Sequence, residues 1–552
     1  MTRVFAALLA VLYLAEPVWA RQPVRARSGM VVTEEPIAAD VGVSVLKAGG
    51  NAIDAAVAVG FALAVTYPVA GNIGGGGFML VRFAGARSTF IDFRERAPMK
   101  SSRDMYLDSQ GKLTRDSIEG WRASGVPGTV RGLEYAHKKY GSKPWKDLIE
   151  PAVRLARDGF DAPYGLSESL ASARSRFDPY PASKELFGKV YEPGDKFIQP
   201  DLAGTLERIA RDPGDFYQGE TARRLAAAMA ANGGLITLED LKDYKAVERK
   251  PLAGRYKGYE ITTAPPPSSG GVGVLQMLGV LEGSGYEKSG WGAAATIHYV
   301  VEAMRRYYAD RSEYLGDPDF KKVPVRALLN AEYIKTLRRS IDPQRASKSD
   351  AIRPGSLSAY ESSETTHFSI VDKSGNAVSV TYTLNGSYGS GVTAPGLGFL
   401  LNNEMDDFAA QPGEPNMFGL VQGEANAIQP RKRPLSSMTP SILTKDGKLF
   451  MVVGGPGGGR IITAVLQTIL NVVDFGMNVQ DAVDAPRFHH QWKPDKITME
   501  RGFSPDTIRL LQDRGHEVEV IPAVARIFAI VADGGWLQGA PDGRSYGKAA
   551  GF

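Results

Sequence analysis

"ESSETTHFSIVDKSGNAVSVTYTLN", Glu361 to Asn385, decides how this chain is read. From Thr365 to Asp372, and again from Ala377 to Asn385, apolar side chains alternate with polar ones, and Lys373-Ser374-Gly375 lies between. A period of two marks strands, and a three-residue connection with Gly in the left-handed position closes a hairpin. Pairing Asp372 with Asn376 sets Ile370 opposite Val378, Phe368 opposite Val380 and Thr366 opposite Tyr382. The same register sets Ser369 against Ser379, His367 against Thr381 and Thr365 against Thr383. A slip of one residue would oppose apolar and polar side chains at every rung. One face is therefore expected to be core, and the other a ladder of hydroxyls ending at Thr365, Thr383 and Asn385. The stretch just before it, Ala351 to Glu364, has little to bury and reads as a surface loop open to cutting.

Threonine-rich faces are common in exposed strands, so the hairpin alone indicates no chemistry. A threonine hydroxyl becomes a nucleophile only when a base stands beside it. Cutting the chain between Glu364 and Thr365 would supply one on the same residue. An α-amino group has a reference pKa of about 7.7 to 8.0 against about 10.4 for lysine, so presenting it neutral at pH 7 costs about 1 kcal/mol rather than about 4.6. Thr383, opposite Thr365 in this register, is placed to donate a hydrogen bond to the nucleophile or to help activate it for the cut.

The 552 residues, 43% hydrophobic and 23% charged, are ordinary for a globular protein that buries a large core. A net charge of +4 with one short basic cluster, Arg431-Lys432-Arg433, gives no concentrated face for nucleic acid; the cluster reads as a solvated loop. Arg3, an apolar run from Val4 to Leu14 and the small-residue end Val18-Trp19-Ala20 have the layout of a signal peptide, residues 1–20, too short to span a bilayer. Export to the periplasm or the medium is expected, with no membrane span afterwards. Cysteine is absent, which removes disulfides, thiolate nucleophiles and Cys-based zinc sites.

A second apolar stretch, Ala52 to Val65, opens after Asn51 as a capped helix would and ends before Pro68; it reads as a buried helix. Gly74 to Gly77 then turn the chain into a strand. "PLSSMTPSILTKDGKLFMVVGGPGGGRIITAVLQTIL" gives strand, strand, glycine loop and helix. The loop is not a phosphate loop, because Arg460 and Ile461 stand where Lys and Ser/Thr are required. Its backbone N–H groups at a helix start suit a developing negative charge, as in an oxyanion hole. The G-x-S-x-G match around Ser545 has no acid or histidine after it, and His489-His490 lacks zinc-helix spacing, so these read as chance and as packing or surface positions. No metal and no cofactor are expected.

The segment "TTHFSIVDKSGNAVSVTYTLNGSYG" closely resembles the signature of the γ-glutamyltransferase (γ-glutamyltranspeptidase) family of N-terminal nucleophile hydrolases. "NAIDAAVAVGFALAVTYP", "GNIGGGGFML", "DFRERAP", "LNNEMDDF", "RPLSSMTPSI", "GGPGGGRIIT" and "DAPRFHHQW" resemble family blocks in family order. The resemblance implies an α+β fold, an αββα sandwich, from a precursor that cuts itself between Glu364 and Thr365 into a large subunit, 21–364, and a small catalytic subunit, 365–552. It implies Thr365 as nucleophile, Thr383 as supporting threonine and Gly457 and Gly458 as oxyanion-hole glycines. It implies that Arg94, Ser436 and Ser437 hold the α-carboxylate of a γ-glutamyl group, and Asn385, Glu404 and Asp407 its α-amino end. Taken singly, Arg94 could equally be a surface ion pair and Asp407 a turn charge. The activity implied is transfer of a γ-glutamyl group to water, amino acids or peptides, glutathione being the leading donor, in a heterodimer of the two subunits. Gln411 to Gly423 resembles the family's lid loop, with Phe418 where a tyrosine is common. The rival readings are an acylase for another amide, such as a glutaryl-cephalosporin, and an uncut periplasmic homologue that binds peptides.

Overall fold

A computed structural model describes residues 21–352, 365–411 and 422–552; the expected signal peptide, most of the expected cutting loop including Glu364, and Phe418 lie outside the described residues. Two seven-stranded antiparallel sheets form the centre of the molecule. The first runs Lys548–Gly551, Met30–Thr33, Thr366–Val371, Ala377–Thr383, Gly76–Arg82, Ser88–Asp92, Val247–Arg249. The second runs Val24–Ala26, Trp536–Pro541, Phe528–Asp533, Lys448–Gly454, Ser441–Lys445, Tyr259–Thr263, Leu252–Tyr256.

Each sheet carries apolar residues on both faces, and both faces are covered. Phe78, Leu80 and Phe90 of the first sheet meet Ile442, Val452 and Ile530 of the second. The outer face of the first packs under helices Pro36–Lys47 and Ala52–Thr66, with Trp145–Asp158 stacked on the latter; that of the second packs under Gly270–Leu281 and Arg460–Val473, with Ala294–Tyr314 stacked on Gly270–Leu281. The result is the expected αββα layering.

Helix Ala52–Thr66 is buried along its whole length, as its uniformly apolar composition requires, and starts one residue after Asn51 in a reciprocal capping box with Asp54. Asp372, in the hairpin turn, accepts from Ala52 N at 3.0 Å, so a carboxylate complements the positive end of the helix and ties it to the hairpin. The hairpin keeps the expected register from Thr366–Tyr382 to Ile370–Val378, with Asp372 N donating to Asn376 O at 3.0 Å and Gly375 at φ +83°.

Its polar face, however, is not the exposed kind common in strands. Ser369 Oγ donates to Phe528 O at 3.1 Å and Ser379 Oγ to Val453 O at 3.3 Å, both across the sandwich. His367 is hydrogen-bonded to Thr381 Oγ1 at 2.8 Å and Ser369 Oγ at 3.1 Å. Small hydroxyl residues stand there because the sheets approach closely: a Cβ on Gly454 would lie 2.3 Å from the His367 ring.

The basic cluster corrects a second expectation. Arg431 is solvated, but Lys432 and Arg433 are buried. Lys432 Nζ donates to Ala425 O at 2.8 Å and Ala427 O at 2.9 Å, and Arg433 faces Asp92 at 3.3 Å. Carbonyls of the preceding turn for Lys432, and a carboxylate from a distant strand for Arg433, make that burial tolerable. His489 and His490 are buried packing residues, bonded to Thr463 Oγ1 at 2.8 Å and to Trp492 N at 3.0 Å. Among the described residues, no helix is long and apolar enough to cross a membrane.

Burial pushes His367 down to about 3, so it is neutral inside the sandwich at pH 7. The unfolded chain takes up this proton near pH 6.5 and the folded chain only near 3. Its contribution to stability is thus complete above about pH 6.5 and lost as pH falls toward 3, with a slope of up to about 1.4 kcal/mol per pH unit. Denaturant unfolding between pH 6.5 and 4 should show a shallower loss of stability for His367→Gln than for the wild type. Parallel curves would contradict this.

Candidate active site

Thr365 immediately precedes strand Thr366–Val371, one residue beyond the last ladder pair, and is 4% exposed. Thr383 ends the partner strand. Its Oγ1 accepts from Asn385 N at 2.8 Å, so its own proton is what it directs toward a neighbour. Asn385 takes a left-handed φ of +76°, which Asn tolerates, and donates through Nδ2 to Asn403 O at 3.0 Å.

That link joins the hairpin to the turn Glu404–Asp407. Asn402 accepts from Glu404 N and Gly125 N at 3.0 and 2.9 Å and donates to Gly74 O and Gly125 O, both at 2.8 Å. The turn is thereby fixed on both sides, and two of its acids, Glu404 and Asp407, point at Arg94.

Arg94 follows strand Ser88–Asp92 and is 1% exposed, so the reading as a surface ion pair does not hold. Its Nη1 lies 2.5 Å from Glu404 Oε1 and 4.0 Å from Glu95 Oε2; its Nη2 donates to Asp407 Oδ2 at 2.5 Å and to Leu435 O at 3.2 Å. Burial would lower its pKa, but Glu404, Asp407 and Glu95 outweigh that and hold it firmly charged. Burial also pushes Glu404 and Glu95 above the usual carboxylate range, against the pull of Arg94.

Ser436 and Ser437 follow Leu435. Ser436 O accepts from Ser269 N and Ser269 Oγ, both at 2.7 Å. Arg311, on the long helix Ala294–Tyr314, donates to Ser269 Oγ at 2.9 Å and Ser437 Oγ at 3.0 Å. Because Ser437 Oγ accepts from Arg311, its proton is directed elsewhere.

One narrow cavity collects these groups: Thr365, Thr383, Asn385, Arg94, Glu404, Asp407, Ser436, Ser437 and Gly458 all line it. Gly457 is not in the lining; it stands behind, against Ala525, where an added Cβ would come within 2.6 Å. Gly458 opens helix Arg460–Val473 with φ +57°, bringing backbone N–H groups at the positive end of a helix beside Thr365. Sequence reasoning missed Arg311, Leu435, Met438 and Ile461 in the lining. Gln422 was noticed only as part of the lid segment.

The arrangement can do acyl chemistry. A hydroxyl and an anion-stabilising loop share one wall, while a guanidinium, two carboxylates and two serines offer a socket for a group bearing both charges. Among the described residues, one cluster has metal-ligand spacing, His298, Glu302 and His516. Glu302 is already the counter-ion of Arg305 and Arg306, at 3.1 and 2.6 Å, and His298 is hydrogen-bonded to His516 at 2.8 Å. A dication there would face two guanidiniums, so the cluster is a closed structural network.

The layered sheets, with a threonine at the start of a central strand in the cavity, define the class of N-terminal nucleophile hydrolases. The gamma-glutamyltranspeptidase family model matches residues 38–552, and the chain belongs to that family of enzymes. It is 53% identical over 530 residues to the glutathione hydrolase proenzyme of Escherichia coli strain K12, covering 95% of this chain and 91% of that protein. The crystal structure of a cephalosporin acylase from Bacillus halodurans superposes with a TM-score of 0.87 at 30% identity, covering 98% of each chain. That of Helicobacter pylori gamma-glutamyltranspeptidase gives 0.58 at 45% identity, over 61% of this chain and 97% of the other.

Removing Arg94 would leave the buried Glu404 and the partly buried Asp407 beside each other without their cation. Arg94→Met should destabilise the protein by about 3–5 kcal/mol in denaturant unfolding at pH 7. An unchanged midpoint would show that the acids do not depend on Arg94.

Proposed function

We propose that the chain is an exported precursor that cuts itself before Thr365 and then works as a γ-glutamyltransferase and glutathione hydrolase. Thr365 Oγ attacks the Glu364 carbonyl, moving the acyl group from nitrogen to oxygen. Water opens that ester, leaving residues 21–364 as one subunit and 365–552 as the other. The new α-amino group of Thr365 then accepts the proton of its own hydroxyl as the oxygen attacks a γ-glutamyl amide. The tetrahedral oxyanion meets the N–H groups of the Gly457-Gly458 loop, the amine leaves with a proton, and an ester links the γ-glutamyl group to Thr365. Water, an amino acid or a peptide takes that group. Thr383 donates a hydrogen bond to the nucleophile.

The observation that carries this reading is the pairing of charges in the cavity wall. An α-amino acid end presents a carboxylate, for Arg94, Ser436 and Ser437, and an ammonium, for Asn385, Glu404 and Asp407. Across the cavity wall these opposite groups satisfy one another, Arg94 being closed onto both acids. A glutaryl group brings the carboxylate without the ammonium and would leave the acids with no cation of its own to bind. This favours γ-glutamyl compounds over the acylase reading, in spite of the high structural likeness to a cephalosporin acylase. The presence of both Thr365 and Thr383 in the lining argues against an uncut binding protein.

Residues 1–20 would direct the precursor to the periplasm or the medium. Gln422 would belong to a lid formed by Gln411 to Gly423, in which Phe418 bears on the balance between hydrolysis and transfer.

Intact mass and N-terminal sequencing test the cut. The wild type should yield a fragment beginning Thr-Thr-His, and Thr365→Ala should remain one chain. The mature protein should release the chromophore from a γ-glutamyl anilide much faster than from the glutaryl anilide. A wild type that stays whole, or that prefers the glutaryl compound, would overturn the proposal.

A further inference from the structure

The cavity's two charge-binding ends belong to separate stretches of chain, and one buried side chain lies between them. Asn426, 1% exposed, ends the short turn Glu424–Asn426. Its Nδ2 donates to Asp407 O at 2.6 Å and to Gln422 Oε1 at 2.5 Å, while its Oδ1 accepts from Leu435 N at 2.9 Å. Gln422 Nε2 closes the triangle by donating to Asp407 O at 3.1 Å. The main chain reinforces it, Ala409 N donating to Asn426 O at 3.0 Å. Lys432 Nζ holds the carbonyls on either side, Ala425 and Ala427.

Asp407 is the acid at the ammonium end. Leu435 directly precedes the serines of the carboxylate end, and its carbonyl accepts from Arg94. Arg94 reaches both ends from within the cavity; behind the wall a single amide side chain, Asn426, touches both backbones without itself lining the cavity. We propose that Asn426 is a positioning residue that fixes the span between the ammonium and carboxylate ends, and so determines selectivity for substrates bearing both charges. This rests on the proposed function.

Asparagine is suited to the place because it needs a donor on one side and an acceptor on the other. Aspartate keeps the acceptor for Leu435 N but turns the donor into an oxygen facing Asp407 O and Gln422 Oε1. Alanine removes both. Loosening the span should weaken the two-point grip on an α-amino acid end far more than the one-point grip on a carboxylate.

The test compares kcat and KM of wild type, Asn426→Asp and Asn426→Ala on γ-glutamyl and glutaryl p-nitroanilides, with thermal melts and the subunit pattern on a gel alongside. The expected result is a fall of at least about tenfold in the ratio of the two kcat/KM values, carried by KM for the γ-glutamyl compound, with glutaryl turnover nearly unchanged. Gln422→Ala, which removes one partner and leaves Asn426 in place, should move the ratio the same way by less; it decides the matter if the Asn426 variants do not fold. A ratio that stays at the wild-type value, or equal losses on both substrates, would overturn the proposal. A wild type without γ-glutamyl preference would instead overturn the functional reading beneath it.

Discussion

A guanidinium cut off from water has to be given its counter-charges by the protein, and Arg94 is such a group. Its acids, the buried Glu404 and the partly buried Asp407, carry desolvation costs of their own, so the three are placed together. Much of the local structure follows from that. The turn holding the acids is fastened by Asn402 and Asn403, and Arg94 itself is anchored at its backbone, its N–H donating to Asp92 at 3.0 Å and its carbonyl accepting from Tyr244 at 2.7 Å. Asp92 in turn engages Arg249 and Arg433. The polar centre is a connected network, which is how buried charge is kept both affordable in folding and fixed in direction.

Around that centre the apolar layers supply rigidity. Strand Ala377–Thr383 lies in the middle of its sheet, buried at every residue, and delivers Thr383 to the cavity without needing a loop. Gly458 is delivered by the other sheet, through the loop between strand Lys448–Gly454 and helix Arg460–Val473. The cavity therefore sits where the ends of both sheets meet, and small residues such as Ser379 and Gly454 allow those ends to come close.

Elements governed by local rules were legible in the sequence. The hairpin could be registered rung by rung because a period of two and a glycine turn leave one solution. The helix beginning at Ala52 announced itself by its cap and its lack of a polar face. What escaped depends on partners that only the folded chain brings together. Arg433 looked solvated because nothing near it in sequence predicts that Asp92 would receive its guanidinium and Asp317 its backbone N–H; Lys432 is received by nearby carbonyls of residues 425 and 427, but only once that turn is folded against it. Arg311 is one charge on a long helix whose pattern says only that it is buried, and its bond to Ser437 spans 126 positions. The other residues of the cavity wall were reached through family resemblance; alternation by itself led no further than Thr365, Thr383 and Asn385.

The order of strands has a consequence for how such a molecule lives and dies. In the first sheet, Thr366–Val371 lies directly beside Met30–Thr33, and Ala377–Thr383 directly beside Gly76–Arg82; in the second, Ser441–Lys445 lies beside Tyr259–Thr263. Pieces divided at Thr365 would be woven through one another, each supplying strands that complete the other's sheets. Such a molecule is assembled under the favourable odds of a single chain, whose ends cannot drift apart. Once divided and unfolded it must find its other half by collision, with bare sheet edges exposed meanwhile. Its durability after the cut is then a matter of how slowly it opens, since the route by which it was made no longer exists.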